Sequence, residues 1–433
     1  MKPRVGNILW VLCMVLLLML CVQTHGQFMH FRRLKNDTKN ASKPVLTWQN
    51  YKDGSFQQQT ETYLSENFAL REWGIRLYNQ YCFSLWKKTC DPFFYPGSDH
   101  WMYYRPGVLD YYGKETSKFF KTQDDLDEFV DNEVGMLVEL REILKNDFGI
   151  ELLTFIAPDK AFVYPEHLPR LDYDTTVGVA AACFAQKFNE VGFPNIDMTS
   201  WFQSIADTSS RLLFMPMDTH WTFASAWGYD SLFRFMDHLN GFGIPRMSID
   251  SITEQPYEGR QDDEATLNLM FKVKNDTPAY KAHISVHADS TSRKPKVLFV
   301  GDSFVFAFDN LIPKKELTSY YETWFYFDKV FKGFEKREYK IDEINRLRSI
   351  LNVDYVVVYS VGYQWCRGTD GFAKCALTAI KDPDQVEVAL MMNEVEGKPE
   401  LMAPINEKAQ EKGISQEEML ELAAKWIIEN QIK

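Results

Sequence analysis

Apolar positions along this chain recur in two alternating periods. Between Thr122 and Asn146, Leu126, Phe129, Val130, Leu137, Leu140 and Leu144 fall at helical spacing, and Thr122 with Asp125 suits an N-terminal cap. The helix runs out at Asn146–Gly149, and the apolar run Ile150–Ile156 follows at strand length. The pattern then repeats: a helix over 176–190, strands at Asn195–Thr199 and Leu212–Met217, and a helix Thr222–Asn240 stopped by Gly241. Lys296–Val300 and Asp354–Tyr359 read as further buried strands. Apolar strands alternating with helices predict an α/β fold, a three-layer α/β/α arrangement around a flavodoxin-like parallel sheet. Upstream, Thr60–Leu85 has helical spacing, with Tyr63, Phe68, Leu70, Trp73, Ile75 and Tyr78 available for one face. Residues 258–293 are charged and irregular and read as an insertion over one end of the sheet.

The two ends differ from the middle. Lys2 and Arg4 precede an uncharged apolar run, Ile8–Val22, and then Gln23-Thr24-His25-Gly26. This is the layout of an export leader, with cleavage after Gly26 or retention as a signal anchor both open. Residues 27–44 are polar and basic and read as a tether. From Asp382 the pattern is helical only. Ser415 with Glu418 forms a capping box, and Met419, Leu422, Trp426 and Ile427 make an apolar stripe. The expected organisation is a leader or anchor at 1–26, a tether at 27–44, a main domain at 45–377 and a helical appendage at 378–433.

Composition narrows the function classes. Acidic residues outnumber basic ones, 60 to 48, across 433 residues, which excludes the basic footprint of a nucleic-acid binder. Aromatics make up 15%, as a large aromatic core or as sugar-stacking surfaces would require. Cys82 with Cys90, and Cys366 with Cys375, lie close enough in sequence for two local disulfides in an oxidising compartment. Cys183 reads as a buried free thiol. His283 and His287 lack the carboxylate or cysteine neighbours of a metal site, so no metal is expected.

Two segments carry chemistry. Gly301-Asp302-Ser303-Phe304 follows a buried strand, where Gly301 allows a sharp turn and Ser303 opens a helix. Ligands of parallel sheets bind at that end of the strands. Met217-Asp218-Thr219-His220-Trp221 follows the expected strand Leu212–Met217, so Asp218 and His220, two apart, emerge on one side. Taken singly, Ser303 is equally a helix cap and His220 a locally satisfied histidine. Together they supply a nucleophile, a base and its orienting carboxylate.

With these two segments, the chain resembles the SGNH-hydrolase-like proteins of the alginate O-acetyltransferase group, the AlgX/AlgJ type, over about residues 45–365. The resemblance rests on Asp218-Thr219-His220-Trp221-Thr222 and Gly301-Asp302-Ser303-Phe304. Support comes from Asp53-Gly54-Ser55-Phe56-Gln57, Asn67-Phe68, Arg71, Pro158-Asp159-Lys160 and Tyr164-Pro165-Glu166. As in that family, the Asp-x-His pair precedes the Gly-Asp-Ser block. The resemblance implies Ser303 as nucleophile, His220 as general base and Asp218 as its orienter. It further implies a polysaccharide acceptor and a membrane-bound O-acyltransferase partner as acetyl donor, with no cofactor. The expected location is the periplasm or cell envelope, at the inner-membrane surface. No counterpart of the usual Asn block is found, which leaves the Ser303 N–H as oxyanion donor, with the Tyr326 or Tyr359 hydroxyl as additions. Lys160 and Tyr164 follow the first strand and either reach the same mouth or serve as a structural ion pair and a packed tyrosine. The tail is too short for the carbohydrate-binding module of some relatives. The competing functions are a carbohydrate acetyl esterase and a non-catalytic carbohydrate-binding accessory protein.

Overall fold

The computed structural model describes residues 3–26, 28, 32–36, 41–172, 177–256, 262–274 and 277–431. The chain divides into two compact units: Met1–Met102 with Pro216–Asp218 and Glu258–Asp276, and Tyr103–Met215 with Thr219–Tyr257 and Thr277–Lys433.

The first unit is mainly helical. Helix α1 (Pro3–Gly26) contains a 19-residue stretch, Gly6–Thr24, long and apolar enough to cross a membrane. It extends beyond the fifteen-residue apolar run, because polar residues at both ends continue the helix. After α2 (Trp48–Lys52), the expected helical stretch Thr60–Leu85 is two helices, α3 (Ser55–Asn67) and α4 (Arg71–Trp86). They part at Phe68, whose extended backbone ends α3. Cys82 and Cys90 are free thiols, not a disulfide, and lie side by side; burial and the hydrogen bond with Cys82 push the Cys90 thiol up to about 11.

The second unit holds the sheet. Two short strands, β1 (Phe94–Pro96) and β2 (Met102–Tyr104), precede it in the chain. The sheet takes β3 (Glu151–Ala157), β4 (Asn195–Asp197), β7 (Lys296–Gly301), β8 (Tyr320–Phe325), β9 (Lys329–Lys332), β10 (Arg337–Lys340) and β11 (Tyr355–Val361) in the order β10-β9-β8-β7-β11-β3-β4. The five strands from β8 to β4 run parallel, and β9 and β10 add antiparallel at one edge. Every residue of β3 and β11 is buried, as a sheet covered on both faces demands. The long helix is Gln123–Phe148. Its Thr122–Asp125 capping box is formed, and Leu126, Val130, Val134, Leu137, Leu140 and Leu144 face the core. These findings establish the α/β fold with its central, mostly parallel sheet.

Three expectations change. Leu212–Met217 is not a strand; it lies in a loop pinned by a single bridge between Phe214 and Trp221. The segment 258–293 is not wholly irregular, since β6 (Ala279–His287) pairs antiparallel with β5 (Arg246–Gln255). Both faces of that hairpin are largely solvated, so its strands lack an apolar signature. Cys366 and Cys375 are also free; the buried Cys366 thiol donates to the Tyr363 carbonyl, 3.1 Å away, instead of facing Cys375. Cys183 is a free thiol as expected, but half-buried, with the Gln123 amide donating to its sulfur.

The C-terminal helices Pro383–Glu396, Pro399–Lys412 and Gln416–Gln431 share a small core of Met392, Val395, Ile405, Ala409, Met419, Leu420 and Ala424. The expected stripe is only partly inward: Met419 is buried, while Leu422 and Trp426 are exposed. Buried Arg348 joins these helices to the sheet region, pairing with Glu417 at 2.6 Å and with Glu396, and donating to Asn393.

Candidate active site

Ser303 stands just past the end of β7, the strand flanked by β8 and β11. It opens a 3₁₀ turn, Ser303–Val305, that leads into the short helix Phe306–Leu311. Gly301 is required here, though not for unusual backbone angles. A Cβ at this position would collide with the carbonyl oxygen of Tyr359, its partner across the β7–β11 ladder. Only glycine lets the two strands close at this point.

Asp302 fixes the turn. Its buried carboxylate accepts hydrogen bonds from Phe304 N–H at 2.9 Å and from Val361 N–H at 2.7 Å. It thereby ties the residue after Ser303 to the last residue of β11. Burial pushes this carboxyl up to about 6, against the backbone hydrogen bonds and the nearby His220, which pull it down. The Ser303 N–H has no acceptor among the described residues.

His220 arrives on the loop before Trp221, and its Nε2 lies 2.8 Å from Ser303 Oγ. The imidazole packs on Phe304, with ring centroids 5.0 Å apart. An imidazole nitrogen within hydrogen-bond reach of a serine hydroxyl is the geometry in which a base activates a nucleophile. Asp218 is half-buried on Pro216–Asp218, a segment of the first unit, two residues upstream of His220.

The remaining sequence candidates divide. Tyr326, directly after β8, lies beside Ser303; hydrogen bonds with Ser303 and Gln364 lower its phenol's pKa. Burial and the Asp302 carboxylate outweigh them and push it up to about 12, so it remains a donor at neutral pH. Its backbone is left-handed, φ 50°, as is that of Phe327 at 49°. Two consecutive non-glycine residues in that region cost on the order of 1–3 kcal/mol each, strain of a kind that clusters at functional sites. The Tyr326 N–H bonds to the Gly301 carbonyl at 2.8 Å, which seats the turn against the end of β7.

Tyr359, by contrast, is a core residue. Its ring stacks on Phe155 with centroids 4.4 Å apart and on Tyr229 at 5.8 Å. Lys160 donates to the Met215 carbonyl at 2.9 Å, and the Tyr164 hydroxyl accepts from Leu213 N–H at 3.0 Å. Both side chains thus hold the segment just upstream of the His220 loop. His283 and His287 bond to Thr253 and Ser248 on the exposed hairpin, and no metal-binding cluster occurs among the described residues.

Sequence reasoning named Asp302 and Asp159 within motifs but gave neither a role, and it did not single out Gln364 or Asp110. Asp159 follows β3, and its carboxylate lies over Gly107, where a Cβ would strike it. One oxygen accepts from Ala161 N–H at 2.7 Å, and the other is buried without a partner among the described residues. Buried Asp110 also has one unpartnered oxygen; burial and then the Asp159 charge push it up to about 8. Asp110 therefore holds its proton at neutral pH. The available signal was position: Asp159 and Gln364, like Ser303 and Tyr326, follow the carboxyl ends of parallel strands.

A family profile described as "SGNH hydrolase-like domain, acetyltransferase AlgX" matches residues 95–312. The chain belongs to this AlgX acetyltransferase family. Among solved structures, the O-acetyltransferase domain of Pseudomonas putida AlgJ is similar, at 15% identity and a TM-score of 0.40, covering 67% of this chain and 100% of that one. Pseudomonas aeruginosa AlgX matches at 12% identity and a TM-score of 0.36, covering 65% of this chain and 67% of that one. Bacillus cereus PatB1 matches at 11% identity and a TM-score of 0.37, covering 62% of this chain and 95% of that one. No curated protein sequence matches the chain. Within the AlgX-family match lie the Asp218–His220 and Gly301–Ser303 segments; Tyr326 and Gln364 lie beyond it.

Proposed function

We propose that this chain is an O-acetyltransferase that moves acetyl groups onto hydroxyls of an exported or cell-surface polysaccharide through Ser303. The observation that carries the reading is the 2.8 Å approach of His220 Nε2 to Ser303 Oγ at the end of a central strand. Family membership supplies the acyl group.

In the first step His220 takes the Ser303 proton as Oγ attacks the acetyl carbonyl. The negative charge on the carbonyl oxygen is met by the Ser303 N–H and the Tyr326 hydroxyl. Collapse expels the donor's leaving group, which receives the proton from His220, and leaves acetyl-serine. In the second step His220 deprotonates a sugar hydroxyl. That oxygen attacks the acetyl-serine, and Ser303 departs with the proton. Asp218 orients the imidazole and stabilises its protonated form. Asp302 is a positioning residue, because its carboxylate holds the turn that aims Oγ. The acetyl donor is delivered by a membrane-bound acyltransferase, and the leader α1 exports the chain to the periplasm or cell envelope, cleaved or retained as an anchor.

The test is mass spectrometry of the full chain incubated with p-nitrophenyl acetate, with and without short oligosaccharides, beside Ser303→Ala. Acetylated sugar that disappears in the variant is the expected result. Nitrophenol release without acetylated sugar would make the protein an esterase. Turnover indifferent to Ser303 would sink the assignment.

A further inference from the structure

Helix α4 (Arg71–Trp86) is amphipathic in the wrong sense for a water-soluble surface. Its inward side carries Glu72, Arg76, Asn79 and Phe83. Glu72 is buried, Arg76 donates to the Arg33 carbonyl at 2.8 Å, and Asn79 donates to the Leu267 carbonyl at 2.8 Å. The opposite side carries Trp73, Leu77, Tyr78, Tyr81 and Leu85, which are 44–64% exposed. At 100° per residue these five fall within one contiguous sector, and the stripe is about 18 Å long. Water-facing helices put their polar residues outward. Here the polar residues are satisfied inside the unit while the aromatic and aliphatic ones point out.

Two further observations say what covers this face. The first is continuity with α1. The hydrogen bond from Arg76 to Arg33 fastens the segment after α1 to α4, and an extended chain from Gly26 to Arg33 spans at most about 25 Å. A membrane crossed by Gly6–Thr24 therefore keeps α4 close to its surface. The second is charge. Arg71 at the start of α4 and the exposed Lys87 and Lys88 at its end flank the face, and the single acid of residues 71–88, Glu72, is buried, in a chain whose net charge is −12. Basic residues flanking a Trp/Tyr/Leu face match an anionic lipid–water interface.

We propose that the exposed apolar face of α4 lies in the headgroup region of the membrane, as a second, interfacial contact beside α1. The assignment is independent of the reading of Ser303. It would hold the first unit flat on the bilayer.

The test uses the full chain reconstituted in phosphatidylethanolamine–phosphatidylglycerol vesicles containing a diazirine-tailed phospholipid. After irradiation, lipid adducts are mapped by peptide mass spectrometry. Adducts are expected in peptides within 71–88 and in those covering 6–24 where that segment is retained, and not in 123–148. The triple variant Leu77→Gln, Tyr81→Gln, Leu85→Gln should lose the 71–88 adducts at least tenfold while leaving labelling at 6–24 as it was. Unlabelled 71–88 in the wild type, with or without residues 6–24 present, overturns the proposal and would leave the face to a protein partner. Equal labelling of the triple variant would also overturn it, since contact would then not depend on the apolar face. The wild-type map decides even where the variant does not fold.

Discussion

Replacing the Asp302 carboxylate by an amide separates its contribution to stability from its hold on the Ser303 turn. In the wild type one oxygen accepts from Phe304 N–H and the other from Val361 N–H. Asparagine keeps one acceptor and turns a donor toward the other N–H, losing a hydrogen bond to a charged group worth about 1.5–3 kcal/mol. Against this, the buried carboxyl is held up at about 6. That is roughly two units above its unfolded value of about 3.9, a cost of about 3 kcal/mol at neutral pH that the amide removes. The terms nearly offset, so Asp302→Asn should unfold in urea within about 2 kcal/mol of wild type at pH 7.5. Acetyl transfer should fall on the order of ten- to a hundredfold, because the turn that aims Oγ loses its tie to β11.

The pH dependence gives the sharper reading. The folded-state value lies above the unfolded one, so the folded chain binds more protons between about pH 4 and 6. This carboxyl therefore contributes less to stability as pH rises through that window, and its effect is constant above it. Asparagine has no such dependence. The stability of wild type relative to Asp302→Asn should drop by about 1–1.5 kcal/mol between pH 5 and 7.5. Urea unfolding followed by tryptophan fluorescence measures it. A difference that is flat or rises with pH would refute the raised, buried carboxyl. Full activity in the variant would refute its positioning role.

Tyr326→Phe should lower kcat about 10²–10³-fold with little change in KM, as for loss of an oxyanion donor, while leaving the urea midpoint unchanged; an effect on KM alone would move Tyr326 to substrate binding. Gly301→Ala should destabilise by about 1–3 kcal/mol by forcing β7 from β11, read as faster hydrogen exchange at Val297–Val300. Arg348→Ala should cost about 2–3 kcal/mol, less than a fully buried pair because Glu396 is half-exposed, and should make the three C-terminal helices the first protease-sensitive segment. Unchanged proteolysis there would mean that apolar packing alone docks these helices.

Elements whose burial is one-sided or complete could be read directly from the chain. The helix Gln123–Phe148 shows its cap and its stripe, and β3, β7 and β11 are mostly apolar, with polar residues isolated or at their ends. Strands with adjacent buried polar groups at their centre, or with two wet faces, could not be read. In β8, Glu322 and Thr323 are buried, and β6 is solvated on both sides, so neither carries an apolar period. Leu212–Met217 misled because an apolar run of strand length is also what a buried loop looks like when its side chains fill a core.

The chain's own pattern determined the class of fold, the order of its central elements and the candidate serine, histidine and aspartate. These depend on local period and neighbour chemistry, which a linear sequence contains. Only the tertiary structure placed the four outlying candidates: Tyr326 lies beside Ser303, Lys160 and Tyr164 hold the segment ahead of the His220 loop, and Tyr359 fills the core. It likewise placed the Asp302 carboxylate on β11 and set the His220–Ser303 approach across 83 residues of chain. Strand order and register bring such groups together, and neither is encoded by spacing along the sequence.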